Sequence, residues 1–179
     1  MRNAAAGALA LLLASAGRAI GQDEDMALRN WFEDPFLQLT GADAATDCPQ
    51  PAGPFVTQRE RMQQSHRRAE KGTTAWLAGE AERPRAYAYD AEIAQALAAA
   101  FRAPVASPRF PGSALWATVQ GRVVYIEGCV ARAGDAAALE ALARSLPHVQ
   151  QAIAIVRSTP TGSVPYRVMP PAPPGSGAR

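Results

Sequence analysis

The sequence has few of the residues and none of the short motifs that mark common enzymes and metal proteins. Only two histidines and two cysteines occur among 179 residues. His66 and His148 lie far apart, and neither has a cysteine near it, so no metal site is predicted. A phosphate-binding loop, HExxH, CxxC and GxSxG are all absent. We therefore expect a protein that is not an enzyme and that uses no cofactor.

Long apolar runs are also missing, apart from one near the amino terminus. The run from Ala4 to Ala16 covers about 13 residues, which is too short to span a bilayer. Arg2 precedes it and small residues follow, an arrangement typical of a secretory signal peptide cleaved after Ala16 or Gly21. We predict that residues 1–21 are a signal peptide. No cysteine follows either cleavage position, so a lipid anchor is not expected.

The charge of the chain is balanced once the signal peptide is set aside. Loss of Arg2 and Arg18 leaves 16 of the 18 basic residues against 16 acidic ones. A neutral protein lacks the general attraction for nucleic acid that an excess of bases provides, so no nucleic-acid partner is expected. Charge is uneven locally, since residues 22–56 carry a net −6 and residues 57–85 a net +3. These segments could fold against each other or form separate patches.

Cys48 and Cys129 form the only possible cysteine pair. Exported proteins meet an oxidising environment in which disulfides persist. Two cysteines so distant in sequence do not prove proximity, and both the bridge and free thiols remain open. If formed, the bridge would tie the amino-terminal extension to the sheet predicted below.

Residues 22–86 form an irregular, proline-interrupted extension with one predicted helix at about 57–71. Thr57 and Glu60 have the spacing of a capping box, and Gly72 suits the end of the helix. Few apolar residues lie inside this helix, which favours a solvated surface; the alternative is a site for lipid headgroups or an acidic partner. The basic residues of that candidate site are Arg59, Arg61, Arg67, Arg68 and Lys71.

Residues 87–157 have a regular pattern of helices and strands. Asp90 is expected to cap a helix, "DAEIAQALAAAF", and two strands in "LWATVQGRVVYIEGCV" are expected to turn at Gln120-Gly121. A second helix in "RAGDAAALEALARSLP" and a strand in "HVQQAIAIVR" follow. The prediction is an α+β fold with the order helix-strand-strand-helix-strand and both helices on one face of a three-stranded sheet. Residues 158–179 are rich in proline and are predicted to be disordered.

The two faces of the hairpin differ in character. With Val119 opposite Arg122, small and aliphatic side chains face the helices. An aromatic face remains, formed by Trp116, Thr118, Val123 and Tyr125. Either the extension with Trp31, Phe36 or Trp76 covers this face, or it stays open as an apolar binding patch.

Residues 88–157 resemble the BON domain, named for bacterial osmotically induced and nodulation proteins. The resemblance rests on the helices and strands quoted above, with Gly121 at the hairpin glycine of the family and Gly128 at its second-strand glycine. His148-Val149 stands where the family usually has Gly-Val.

This resemblance implies a non-catalytic module of the Gram-negative envelope, and with the signal peptide it predicts a periplasmic protein. Its expected partners are phospholipid headgroups or envelope and outer-membrane proteins, with at most peripheral contact to a membrane. Its expected role is support of outer-membrane integrity or protein biogenesis. The alternative function is a structural subunit that docks on an envelope complex through the amino-terminal extension or the proline-rich tail. No oligomeric state is predicted.

Overall fold

The computed structural model describes residues 26–40, 47–102, 110–159 and 161–171. Within these ranges the protein is α+β, with a four-stranded mixed sheet and three α-helices, so the predicted class is confirmed. The predicted signal peptide lies outside the described residues. No described helix combines the length and apolar character required to cross a membrane.

The described elements follow one another from the extension into the sheet. In chain order they are β1 (Phe36–Gln38), α1 (Gln58–Leu77), a 3-10 turn (Ala86–Tyr89), α2 (Asp90–Arg102), β2 (Ala114–Gln120), β3 (Val123–Cys129), α3 (Asp135–Arg144) and β4 (Gln151–Arg157). From α2 to β4 the order matches the prediction. The prediction of three strands missed β1.

The sheet has the strand order β1-β2-β3-β4. β1 runs antiparallel to β2, β2 antiparallel to β3, and β3 parallel to β4. α2 and α3 cover the inner face, where Ile93, Leu97 and Leu139 pack with the inward side chains of β2 and β3 in one buried cluster. Both helices therefore lie on one face, as the sequence predicts.

The predicted strand register is wrong by two residues. Val119 pairs with Val124 instead of Arg122, because the turn is formed by Gly121 and Arg122, with φ angles of 59° and 67°. Such left-handed pairs form the two-residue turns that match the twist of a hairpin. A shift of two residues leaves every side chain on its own face, so the predicted division between the faces still holds.

Asp90 does not cap α2 as predicted. The 3-10 turn leads directly into α2, so Asp90 is already helical, and its carboxylate accepts hydrogen bonds from the N–H groups of Gly121 at 2.6 Å and Arg122 at 2.8 Å. Burial raises the pKa of Asp90, and these two hydrogen bonds oppose the rise. The carboxylate thus ties the start of α2 to the hairpin turn.

α1 begins as predicted and ends later than predicted. Thr57 and Glu60 form the capping box. The helix continues to Leu77, since Gly72 is buried inside it against the ring of Tyr87 instead of ending it. The helix therefore packs against the domain through Gly72 and is not solvated on all sides, contrary to what its sequence suggests.

The extension and the tail pack against each other. The N–H of Ala52 donates to the carbonyl of Arg167 at 2.7 Å, and the Tyr166 hydroxyl donates to the carbonyl of Pro49 at 2.8 Å. Tyr166 is buried in this contact. The prediction of disorder from residue 158 is therefore wrong for residues 161–171, and residues 172–179 lie outside the described part.

A disulfide joins Cys48 to Cys129 and resolves the alternative that the sequence leaves open. It connects the extension to the end of β3. The bond is compatible with an oxidising compartment outside the cytoplasm.

Candidate functional site

The outer face of the sheet, opposite α2 and α3, is covered. Trp116, Thr118 and Val123 have only 8%, 4% and 2% of their surface exposed. Residues of α1 and of the segment 53–56 line one cleft with residues of β2 and β3, so the extension lies over this face. The aromatic face is therefore not an open apolar patch.

Two of the three aromatic residues that the sequence offered for this cover make contacts within the extension. The Nε1–H of Trp31 donates to the carbonyl of Val56 at 2.9 Å, and the ring of Phe36 meets that of Phe55 edge-on at 6.0 Å. The third, Trp76, is 47% exposed at the end of α1.

A cleft of about 390 Å³ remains between α1, residues 53–56 and the outer face of β2 and β3. We call it the outer-face cleft. Its lining combines both candidate patches of the sequence, the basic helix and the sheet face. The lining residues are Gly53, Pro54, Val56, Gln64, Arg67, Arg68, Lys71, Tyr87, Thr118, Gln120, Tyr125 and Glu127.

The structure brings five of the nine predicted binding residues together here: Arg67, Arg68, Lys71, Thr118 and Tyr125. The other four do not line the cleft. Trp116 and Val123 are buried beside it. Arg59 is exposed elsewhere on α1, and the guanidinium of Arg61 stacks 5.1 Å from the ring of Trp31.

Arg68 of α1 joins the start of the extension to the helix and, through Asp34, to β2. Its guanidinium makes two hydrogen bonds to the carboxylate of Asp34, at 2.5 and 3.0 Å, and both side chains are largely buried. The Gln120 amide donates to the same carboxylate at 2.9 Å. Aromatic rings enclose the guanidinium, with those of Phe32 and Tyr87 at 3.9 and 4.4 Å. Arg68 is therefore a structural anchor at the cleft wall.

Arg67 and Lys71 supply the cation-rich wall of the cleft. They lie one helical turn apart on α1, where side chains four residues apart are neighbours. Within the described ranges, neither has a hydrogen bond or an ion pair. Partial burial lowers the pKa of Lys71, an effect that the nearby charge of Asp90 opposes and that of Arg68 reinforces. Among the described residues no acid lies within ion-pair distance of either cation, so both can bind an anion in the cleft.

Glu127 on β3 lies on the opposite wall. It is half-buried, and among the described side chains no base lies within ion-pair distance of its carboxylate. Burial raises its pKa, and the more distant charge of Arg167 opposes the rise. The hydroxyl of Thr118, which also lines the cleft, is buried and has no hydrogen-bond partner in the described part of the chain.

The sequence prediction missed Gln64, Tyr87, Gln120, Glu127 and the segment 53–56. Strand alternation contains the signal for two of these, because Gln120 shares the face of Thr118 on β2 and Glu127 that of Tyr125 on β3. Helical spacing contains the signal for Gln64, which lies one turn before Arg67 and Arg68. Tyr87 and the segment 53–56 reach the cleft through tertiary packing.

Among the described residues, no group of three or more histidine, cysteine, aspartate or glutamate side chains could hold a metal ion. Comparison with protein-family models, curated proteins and solved structures finds no match to the chain.

Proposed function

We propose that this chain is a non-catalytic BON-type protein of the Gram-negative periplasm that binds phospholipid headgroups at the outer-face cleft. It would lie peripherally on the membrane and support outer-membrane integrity or outer-membrane protein biogenesis.

Two backbone features support assignment to the BON family. Gly128 has a φ of 142°, and a Cβ at this position would lie 2.0 Å from the carbonyl oxygen of Ala114, so only glycine fits. His148, which replaces the usual glycine, has a φ of 67°, in the left-handed region that glycine favours. At both positions matched to glycines of the family, the backbone therefore has a conformation that favours glycine.

The disulfide supports the proposed location. Cys48–Cys129 would persist in the periplasm, whereas the cytoplasm keeps most thiols reduced. The predicted signal peptide provides the route of export.

The observation that carries the proposed function is the pair of cations on the α1 wall. Arg67 and Lys71 line the cleft, and no described acid lies within ion-pair distance of either side chain. Arginine and lysine are the side chains that recognise phosphate most often. Beyond them, Trp76 and Leu77 are exposed at the end of α1 and could rest at the membrane interface.

This mechanism differs from apolar burial on the sheet face, which the sequence suggests. Because the extension covers Trp116 and Val123, we assign recognition to the phosphate group and only the end of α1 to apolar contact.

Vesicle flotation tests this function. The oxidised chain without its predicted signal peptide, residues 22–179, is expected to float with vesicles containing phosphatidylglycerol and phosphatidylethanolamine. One base near a membrane surface contributes about 1 kcal/mol, so the charge reversal Arg67→Glu should weaken binding about 30-fold. Arg59→Glu makes the same change on the same helix outside the cleft and should have a smaller effect.

Circular dichroism and thermal melting would show that both variants are folded. Equal losses in both variants would indicate a general charge effect and contradict a site in the cleft. A wild-type chain that floats with no vesicle would overturn the proposed function.

The alternative of docking through the extension or the tail stays a prediction. The described parts of both segments pack against the domain and against each other, so no specific observation favours them as partner-binding segments.

A further inference from the structure

The outer-face cleft holds unpaired charges of both signs on its two walls. Arg67 and Lys71 stand on α1, and Glu127 stands on β3. Within the described residues, none of the three takes part in an ion pair. Glu127 is half-buried, and a charge withdrawn from water without a partner costs free energy. Arg67 and Lys71 line the cleft as exposed side chains that a ligand can reach.

We propose that the outer-face cleft is specific for a zwitterionic phosphoethanolamine group. The phosphate binds Arg67 and Lys71, and the ammonium binds Glu127. This inference rests on the proposed function and narrows it from phospholipid headgroups in general to one class.

The charge pattern separates this ligand from a simple anion. A phosphate monoester would satisfy the α1 wall, but its negative charge would approach Glu127 and be repelled. A phosphoethanolamine group brings one charge for each wall, so both sides of the cleft gain a charge-assisted hydrogen bond. Glu127 therefore acts as the specificity determinant, and the two cations supply most of the affinity.

Polar groups between the walls fit the rest of the headgroup. The hydroxyl of Tyr125 and the amide of Gln120 line the cleft beside the buried Thr118 and offer polar groups to the phosphate or glycerol oxygens. Tyr125 lies on the same strand face as Glu127 and also lines the cleft. A volume of about 390 Å³ lies in the range of small-molecule sites.

The group could come from a membrane lipid or from a soluble compound, and calorimetry together with flotation distinguishes them. The oxidised chain of residues 22–179 is titrated with glycerophosphoethanolamine and with glycerol 3-phosphate, which lacks the ammonium. Wild type is expected to bind the first more tightly. Glu127→Gln should weaken that binding about tenfold and leave or improve the binding of glycerol 3-phosphate. Glu82→Gln, which removes an exposed acid outside the cleft, should change neither.

Flotation on vesicles of neutral lipid with and without phosphatidylethanolamine forms the second arm. Flotation that requires both phosphatidylethanolamine and Glu127 supports the inference and identifies the ligand as a membrane lipid. Binding of the soluble compound without flotation supports the same specificity for a soluble ligand and overturns the lipid function.

Equal affinity for the two soluble compounds with no dependence on phosphatidylethanolamine, or a preference unchanged in Glu127→Gln, overturns the inference. Flotation on phosphatidylglycerol that depends on Arg67 but not on Glu127 would leave the proposed function standing without this specificity. No binding in any arm would overturn both.

Discussion

Removal of the Cys48–Cys129 disulfide should cost a large share of the stability of the protein. The two cysteines are separated by 81 residues, and closure of a loop of this length in the unfolded chain corresponds to about 4.5 kcal/mol. Domains commonly have a total free energy of unfolding of about 5–15 kcal/mol. We therefore expect Cys48→Ser/Cys129→Ser to fold with only marginal stability.

Other contacts should still guide the extension to its native place in this variant. The Tyr166 hydroxyl would keep its hydrogen bond to Pro49, and the guanidinium of Arg157 would keep its hydrogen bond to the carbonyl of Asp47 at 2.6 Å. These contacts lie on both sides of Cys48, so the loss should appear in stability more than in structure.

Urea unfolding followed by circular dichroism measures this loss. Three samples are compared: oxidised wild type, wild type reduced throughout, and the double variant. The two samples without the bond should have the same free energy of unfolding, about 4 kcal/mol below that of the oxidised protein. Reduced wild type serves as the control for the serine substitutions. A difference under about 1 kcal/mol would refute the reasoning that the bond restricts the unfolded chain.

Three further predictions concern single residues. Gly128→Ala should destabilise the fold by about 3 kcal/mol in urea unfolding, because the added Cβ would meet a backbone oxygen. In the control Gly134→Ala the added Cβ meets nothing within 4 Å, so stability should change by less than about 1 kcal/mol. Equal losses of stability in the two variants would contradict the close approach at Gly128. Burial raises the pKa of Glu127, so ionised Glu127 opposes folding, and Glu127→Gln should stabilise the free protein at neutral pH. That gain in stability should disappear as the pH falls below 4.5, the ordinary pKa of a glutamate side chain. A gain that is independent of pH would argue against a charge effect. Burial raises the pKa of Tyr166 to about 12, so the stability that its neutral hydroxyl provides should be complete below pH 10 and lost as the pH rises through 12. Ultraviolet titration should show one late tyrosine that is absent in Tyr166→Phe, and an unchanged titration would contradict this assignment.

The fold from α2 to β4 was predictable because its signals are local. Alternation in β2 and β3 identified the face that packs on α2 and α3. This assignment survived a two-residue error in register, since side chains repeat every two residues. β1 was not predictable, because Phe36–Gln38 is too short to show alternation and becomes a strand only by pairing with β2. Gly72 misled the prediction of the end of α1, because burial against Tyr87 accounts for this glycine better than a helix stop does.

The two walls of the cleft could be predicted separately, but their meeting could not. The bases of α1 and the face of Thr118 and Tyr125 were each visible in sequence, but about 50 residues separate them. Their meeting depends on the extension crossing the outer face. The acidic and basic segments hint at this arrangement, and the buried pair of Asp34 and Arg68 is one link between them. Which acid would meet which base is decided by packing and not by sequence spacing.

The most direct test of the central claim is an amide NMR titration of the oxidised protein with glycerophosphoethanolamine. A headgroup site in the outer-face cleft predicts saturable shifts that cluster at Arg67, Lys71, Thr118 and Glu127, and little change on α2 and α3. Shifts centred on those two helices, or no saturable shifts at any residue, would contradict a headgroup site between α1 and the sheet.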